Sequence, residues 1–148
     1  MSEDRYGLAR FVAAQEDAGI YARALAELRA GHKQGHWIWF VFPQIAGLGQ
    51  SPMSRVYAIG SLAEARAYLA HPLLGPRLRE CCKALLAADP GLTAEAILGG
   101  IDALKLRSSM TLFARAAPEE PVFTAVLHRF YGGELDPETD RLLGSSQR

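Results

Sequence analysis

"GHKQGHWIWFVFPQIAGLGQSP", residues 31–52, is the stretch on which the fold turns. Six bulky apolar side chains in a row, Trp37 to Phe42, stand between a basic, histidine-bearing segment and a glycine-rich one. By residue type the run suits a buried strand, because periodicity cannot separate short apolar runs. A lone strand would have no partner, since the flanking sequence reads as helix on both sides. The run is therefore expected to be a short buried helix or an extended irregular segment, and the chain all-α.

On the N-terminal side, residues 8–30 read as two helices with a break at Asp17-Ala18-Gly19. In the second, Tyr21, Ala24, Leu25 and Leu28 fall at i, i+3, i+4 and i+7, one stripe of a 3.6-residue period. Gly31 stands where a C-terminal glycine cap belongs.

On the C-terminal side, Ser61-Leu62-Ala63-Glu64 has the form of a capping box, which starts a helix buried through Leu62, Ala65 and Leu69. Pro72 ends it or opens the next helix, whose stripe is Leu74, Leu78, Cys81, Cys82 and Leu85 and which runs to about Ala88. Thr93 is expected to cap a short helix through Leu98, and Asp102 another that includes Met110 and Phe113. Phe123, Val126, Leu127 and Phe130 form a further stripe, and Asp136-Pro137 reads as a cap followed by a first-turn proline. These signals predict one multihelical domain, residues 1–148, of seven or eight helices, with 144–148 a frayed tail.

The bulk properties narrow the function. Sixteen Lys and Arg balance sixteen Asp and Glu, so no overall positive field attracts a polyanion and nucleic acid is not the expected partner. A local basic patch for one or two phosphates remains open, because net charge says little about the inside of a cleft. The acidic start, MSEDRYG, is unlike a secretory signal, and the longest apolar run is six residues against the ~20 needed to span a bilayer. A cytoplasmic protein is expected, with Cys81 and Cys82 buried as small apolar groups, since helical neighbours point about 100° apart and cross-link nothing.

The long connection 31–60 is itself a functional signal, because structured loops of more than ~15 residues in compact domains usually carry function or are disordered, and this one is too apolar for disorder. Gly47-Leu48-Gly49 matches no phosphate-loop signature, and two glycines suffice to permit a tight turn. His32 and His36 lie four apart, but Gly31 and Gly35 disfavour a helix there and no metal-protease pattern accompanies them, so no metal is assigned. No cofactor is assigned either.

Lys33, His36, Trp37 and Gln44 together offer a cation, a proton carrier, a stacking ring and an amide. A second cluster, "DALKLRSSMTLF" (102–113), places Lys105, Ser108 and Ser109 at i, i+3 and i+4, where a lysine and two hydroxyls would grip an oxyanion. The structural alternative is that the aromatics are core, the serines ease helix packing and the lysines are solvated. No Ser-His-Asp order or nucleophile elbow is present, and acid or base work would fall to His36, His71, Glu64 or Asp102 without the sequence choosing among them.

At these residues the chain resembles the Domain of Unknown Function 1810 family. The likeness runs through "RFVAAQ" (10–15), "GHKQGHWIWFVFPQIAGLGQS" (31–51), "AYLAHPLLGPRL" (67–78) and "DALKLRSSMTLF". It implies a compact, almost wholly helical cytoplasmic protein, mostly bacterial, whose activity is not established. The family pattern usually has Arg where this chain has His32 and Met where it has Ile38, which weakens any role for His32. The calpain-inhibitor label that some members carry does not suit a chain with the apolar content of a folded domain. Residue by residue, the family motif falls on Gln15, Lys33, His36, Trp37, Gln44, Ser51, His71, Lys105, Ser108 and Ser109, which are the candidates for a shared pocket.

Two functions follow as expectations. One is an enzyme or sensor for a small anionic, phosphorylated, ring-bearing ligand such as a nucleotide or an ADP-ribose-like compound, with Lys33 and Lys105 on its anionic groups, Trp37 stacking and His36 transferring a proton. The other is a non-enzymatic module that binds a protein or its own twin through exposed members of Trp37 to Phe42. The sequence leaves both open.

Overall fold

Local chemistry places most of the helix boundaries. The computed structural model of the chain describes residues 4–146. It holds α1 (Ala9–Glu16), α2 (Ile20–Ala30), α3 (Ile38–Val41), α4 (Pro52–Val56), α5 (Leu62–Ala70), α6 (Leu74–Leu86), α7 (Ala94–Leu98), α8 (Gly100–Ala116), α9 (Pro121–Tyr131) and α10 (Pro137–Ser146). Seven of these have eight residues or more, and α3, α4 and α7 are single turns. The break between α1 and α2 is a turn of 3₁₀-helix in which Ala18 takes φ 52° and Gly19 φ 69°. Helix α10 carries Gly144 to Ser146 in its last turn; residues 147 and 148 of the expected tail lie outside the described residues.

The serine of the predicted capping box accepts from the Glu64 N–H at 3.1 Å, but the glutamate reaches one residue further back than expected. Its Oε1 accepts from the Gly60 N–H at 3.0 Å, and its Oε2 pairs with Arg10 at 3.0 Å. Arg10 also donates to the carbonyls of Tyr6, Val56 and Ala58 at 2.6–2.8 Å, which ties the N-terminal segment, the end of α4 and the start of α5 together.

Asp102 is not a cap. Helix α8 begins at Gly100, with Gly99 at φ 90° before it, so Asp102 falls inside the first turn and its carboxylate is free for side-chain partners. Ten of the seventeen residues of α8 are buried, because the helix runs through the middle of the fold with α3, α5, α7, α9 and α10 packed around it. Residues Ser108 to Ala114 are buried all round the helix, while its first turns remain one-sided.

The deciding run is a short buried helix. Trp37, Ile38, Phe40, Val41 and Phe42 are each no more than 4% exposed and join the core, while Trp39 is half-buried. Gln15 fixes it from α1: its Nε2 donates to the Phe40 carbonyl at 2.8 Å, and its Oε1 accepts from Arg77 at 3.2 Å. Beyond Pro43 the chain makes a single parallel bridge, Ile45 to Ile59, through the Ala46 N–H on the Ile59 carbonyl (2.8 Å) and the Ile59 N–H on the Gln44 carbonyl (2.9 Å). That clasp turns residues 46–58 into a loop closed at its base, with α4 on its return limb. No helix among the described residues is long and apolar enough to cross a membrane.

Candidate functional site

The segment between α2 and α3 is held by one carboxylate. Glu27 Oε1 accepts from the Gln34 N–H (2.8 Å), the Gly35 N–H (2.9 Å) and Trp37 Nε1 (2.9 Å). Burial pushes the Glu27 carboxyl up, but the Gly35, Gln34 and Trp37 donors and the nearby Lys33 outweigh it and hold its pKa below the ordinary range. Trp37 is thereby fixed in the core at 2% exposure, with the Lys33 ammonium 5.0 Å from its ring centre. Its ring is packed against the protein and is not open to a ligand.

Lys33 is also occupied. Its side chain is 7% exposed, and its Nζ lies 2.8 Å from Asp102 Oδ2 and donates to the Gly35 carbonyl. The same carboxylate takes Lys105 through Oδ1 at 3.3 Å. Lys105 in turn stands 4.8 Å over the Trp39 ring. Two lysines, each over a tryptophan, thus share one aspartate, and this bridge locks the 31–41 segment onto the start of α8.

Three of the nominated residues meet in one concavity. Gln44, Lys105 and Ser108 line a cavity of about 340 Å³ between the 44–54 segment, α8 and the start of α10. Ser54, Arg107, Asp136 and Glu138 add polar groups to it, and Leu48, Ile101 and Leu104 add apolar ones. Ser108 Oγ lies 2.8 Å from Asp136 Oδ2 and 3.2 Å from the Leu104 carbonyl. Asp136 Oδ2 also accepts from Thr139 Oγ1 at 2.6 Å, and Arg107 donates to the carbonyls of Glu134 and Leu135. Among the described residues the Gln44 side-chain amide has no hydrogen-bond partner. Gly49 belongs here because α4 folds back on it: a Cβ at 49 would stand 2.4 Å from that of Ser54.

The other nominated residues lie elsewhere or face away. Gln15 is part of the core network, Ser51 caps α4 by accepting from the Ser54 N–H at 3.1 Å, and exposed His36 does not line the cavity. His71 Nδ1 accepts from the N–H groups of Leu73 and Leu74 at 3.1 and 3.2 Å, at the start of α6. Ser109, expected on the face of Lys105, is fully buried instead, its Oγ without a partner among the described residues, because one residue further around α8 faces the core. Larger grooves gather little of the nominated chemistry: one of about 790 Å³ between α1 and α5 includes His71 alone of the ten, and those of about 650, 610 and 490 Å³ include none.

A family model described as a protein of unknown function (DUF1810) matches residues 5–143. The chain belongs to the DUF1810 family. Its fold is similar to the crystal structure of the conserved hypothetical protein Rv1873 from Mycobacterium tuberculosis, at 52% identity, with a TM-score of 0.92, covering 95% of this chain and 99% of that one. No curated protein matches.

In this DUF1810 chain the cavity includes four polar residues that the sequence did not nominate: Ser54, Arg107, Asp136 and Glu138. Arg107 stands inside the quoted stretch 102–113, between Lys105 and Ser108, and was within reach of the sequence argument. Asp136 was legible only as a helix cap. Its approach to Ser108 spans 28 positions of sequence and depends on how α9 returns the chain to α8.

Proposed function

We propose that this DUF1810 chain binds a small phosphorylated molecule in the cavity between the 44–54 segment, α8 and the start of α10. Lys105 is the anchor for the phosphate and the Gln44 amide its hydrogen-bonding neighbour, while the Ser108 hydroxyl, which donates to Asp136, shapes the wall beside them. The observation that carries this is the shared carboxylate: Lys33 and Lys105 bring two positive charges to Asp102, which supplies one negative charge. Lys33 is the inner partner at 2.8 Å and 7% exposure, so the uncompensated charge belongs to Lys105, whose side chain is 23% exposed and faces the cavity. Lys33 is then a tether for the motif rather than a ligand contact.

A volume of about 340 Å³ is at the small end of ligand sites. A sugar phosphate or mononucleotide suits it better than an ADP-ribose-like compound, which would extend beyond the cavity. The residues of Trp37 to Phe42 are buried apart from half-buried Trp39, so this run offers no apolar face to a protein partner.

Titration calorimetry against sugar phosphates and mononucleotides tests the proposal with Lys105→Ala. A hydrogen bond to a charged group contributes about 1.5–3 kcal/mol, so affinity for a bound phosphate should fall roughly ten- to a hundredfold. Stability should change by less than about 1 kcal/mol, since the Lys105 pair is long and partly solvated. Equal affinity in the wild type and Lys105→Ala would remove Lys105 as the anchor.

A further inference from the structure

We infer that the ligand carries, beside its phosphate, an apolar group of the size of a phenyl ring or nucleobase that lies on Ile101 and Leu104; this rests on the phosphate site just proposed. Three large hydrophobic side chains are exposed among the described residues, and two of them, Ile101 at 73% and Leu104 at 64%, line this one cavity. They stand with Lys105 and Ser108 at i, i+3, i+4 and i+7 of α8, a single helical stripe with its apolar end toward solvent and its cation and hydroxyl further along. Leu48, on the loop clasped by the Ile45–Ile59 bridge, adds an apolar group from the facing segment.

A stripe of that composition matches a molecule with an anion at one end and an apolar body at the other. Two side chains make a ledge far smaller than the several hundred Å² of a protein-binding patch, whereas a single ring covers it. The aromatic surface that the sequence assigned to Trp37 is buried, and the exposed Ile101–Leu104 ledge takes over that task.

The test compares inorganic phosphate with phenyl phosphate, by NMR titration of the wild type and of the double variant Ile101→Ser/Leu104→Ser. Both substitutions are at exposed positions, and an unchanged unfolding midpoint will show that the variant is folded. The expected result is phenyl phosphate bound about tenfold tighter than phosphate by the wild type, and equal weak binding of the two by the variant. Phosphate binding with no gain from the ring would overturn the ledge and leave the phosphate site standing. No binding of either probe would overturn both. Sedimentation that shows self-association lost in the variant would overturn the ledge as a ligand surface and make it a contact between copies of the chain.

Discussion

Ser109 and Trp39 each bury a polar atom that finds no partner among the described residues, Oγ in the one and Nε1 in the other. A buried hydroxyl without a hydrogen bond costs about 1–3 kcal/mol of desolvation. Ser109→Ala should therefore leave stability unchanged or raise it by about 1 kcal/mol, as measured by urea unfolding, and should not change ligand affinity. A loss of either would show that the hydroxyl has a partner after all. Ser108, one position earlier, separates the two roles, because its hydroxyl points to Asp136 in the cavity. Asp102 is the opposite case. Asp102→Ala would leave the Lys33 ammonium buried at 7% exposure without its counter-ion, and breaking a buried pair in this way costs about 3–5 kcal/mol. The same substitution at a true surface ion pair would cost less than about 1 kcal/mol, so the unfolding midpoint distinguishes a tether from a decoration.

Helices α5 and α6 meet at a point that tolerates no side chain. A Cβ at Gly75 would come within 2.1 Å of the Leu69 carbonyl oxygen, which is backbone and cannot rotate away. Gly75→Ala should destabilise the fold by about 1–3 kcal/mol, although alanine is the better helix former, and a gain in the unfolding midpoint would contradict this close approach. His71 fills the same corner by accepting two N–H groups at the start of α6. Proline at 72 was visible as a boundary in the sequence, but the histidine had no signature there. Its side chain substitutes for the serine or aspartate that a cap normally uses, so it read as a site residue.

The molecule as a whole is fastened by carboxylates with lowered pKa values. In Glu120 the bidentate hydrogen bonds from Arg79, at 2.9 and 2.6 Å, depress it and join α6 to α9. In Glu27 burial acts against the shift, and the donors around the 34–37 turn prevail. A depressed folded-state pKa contributes stability that is complete above the unfolded value, near 4.3 for glutamate, and is lost as pH falls through the lower folded value. Unfolding midpoints should therefore be level between about pH 7 and 5 and fall below about pH 4. Glu27→Gln combined with Glu120→Gln should flatten that acid limb. An acid limb of unchanged slope would assign it to other carboxylates. Both thiols add nothing in this range: burial pushes Cys81 up to about 12 and Cys82 well above its ordinary value.

The sequence by itself determined the helical class, most of the helix boundaries and the buried stripes, and left Trp37 to Phe42 between core and contact surface. The first three follow from the 3.6-residue period and from caps within a turn of each other, which are local. It also marked Lys105, Ser108 and Gln44 as chemistry. Only the tertiary structure decided which marked residues share a cavity, because that depends on contacts such as Lys33 with Asp102 and Ser108 with Asp136, 69 and 28 positions apart. Gln15, Trp37 and Ser109 looked like site residues because polar and aromatic groups serve a core and a pocket equally well. The packing of α8 through the middle of the fold separated them, turning Ser109 inward and leaving Ile101, Leu104 and Lys105 at the open end.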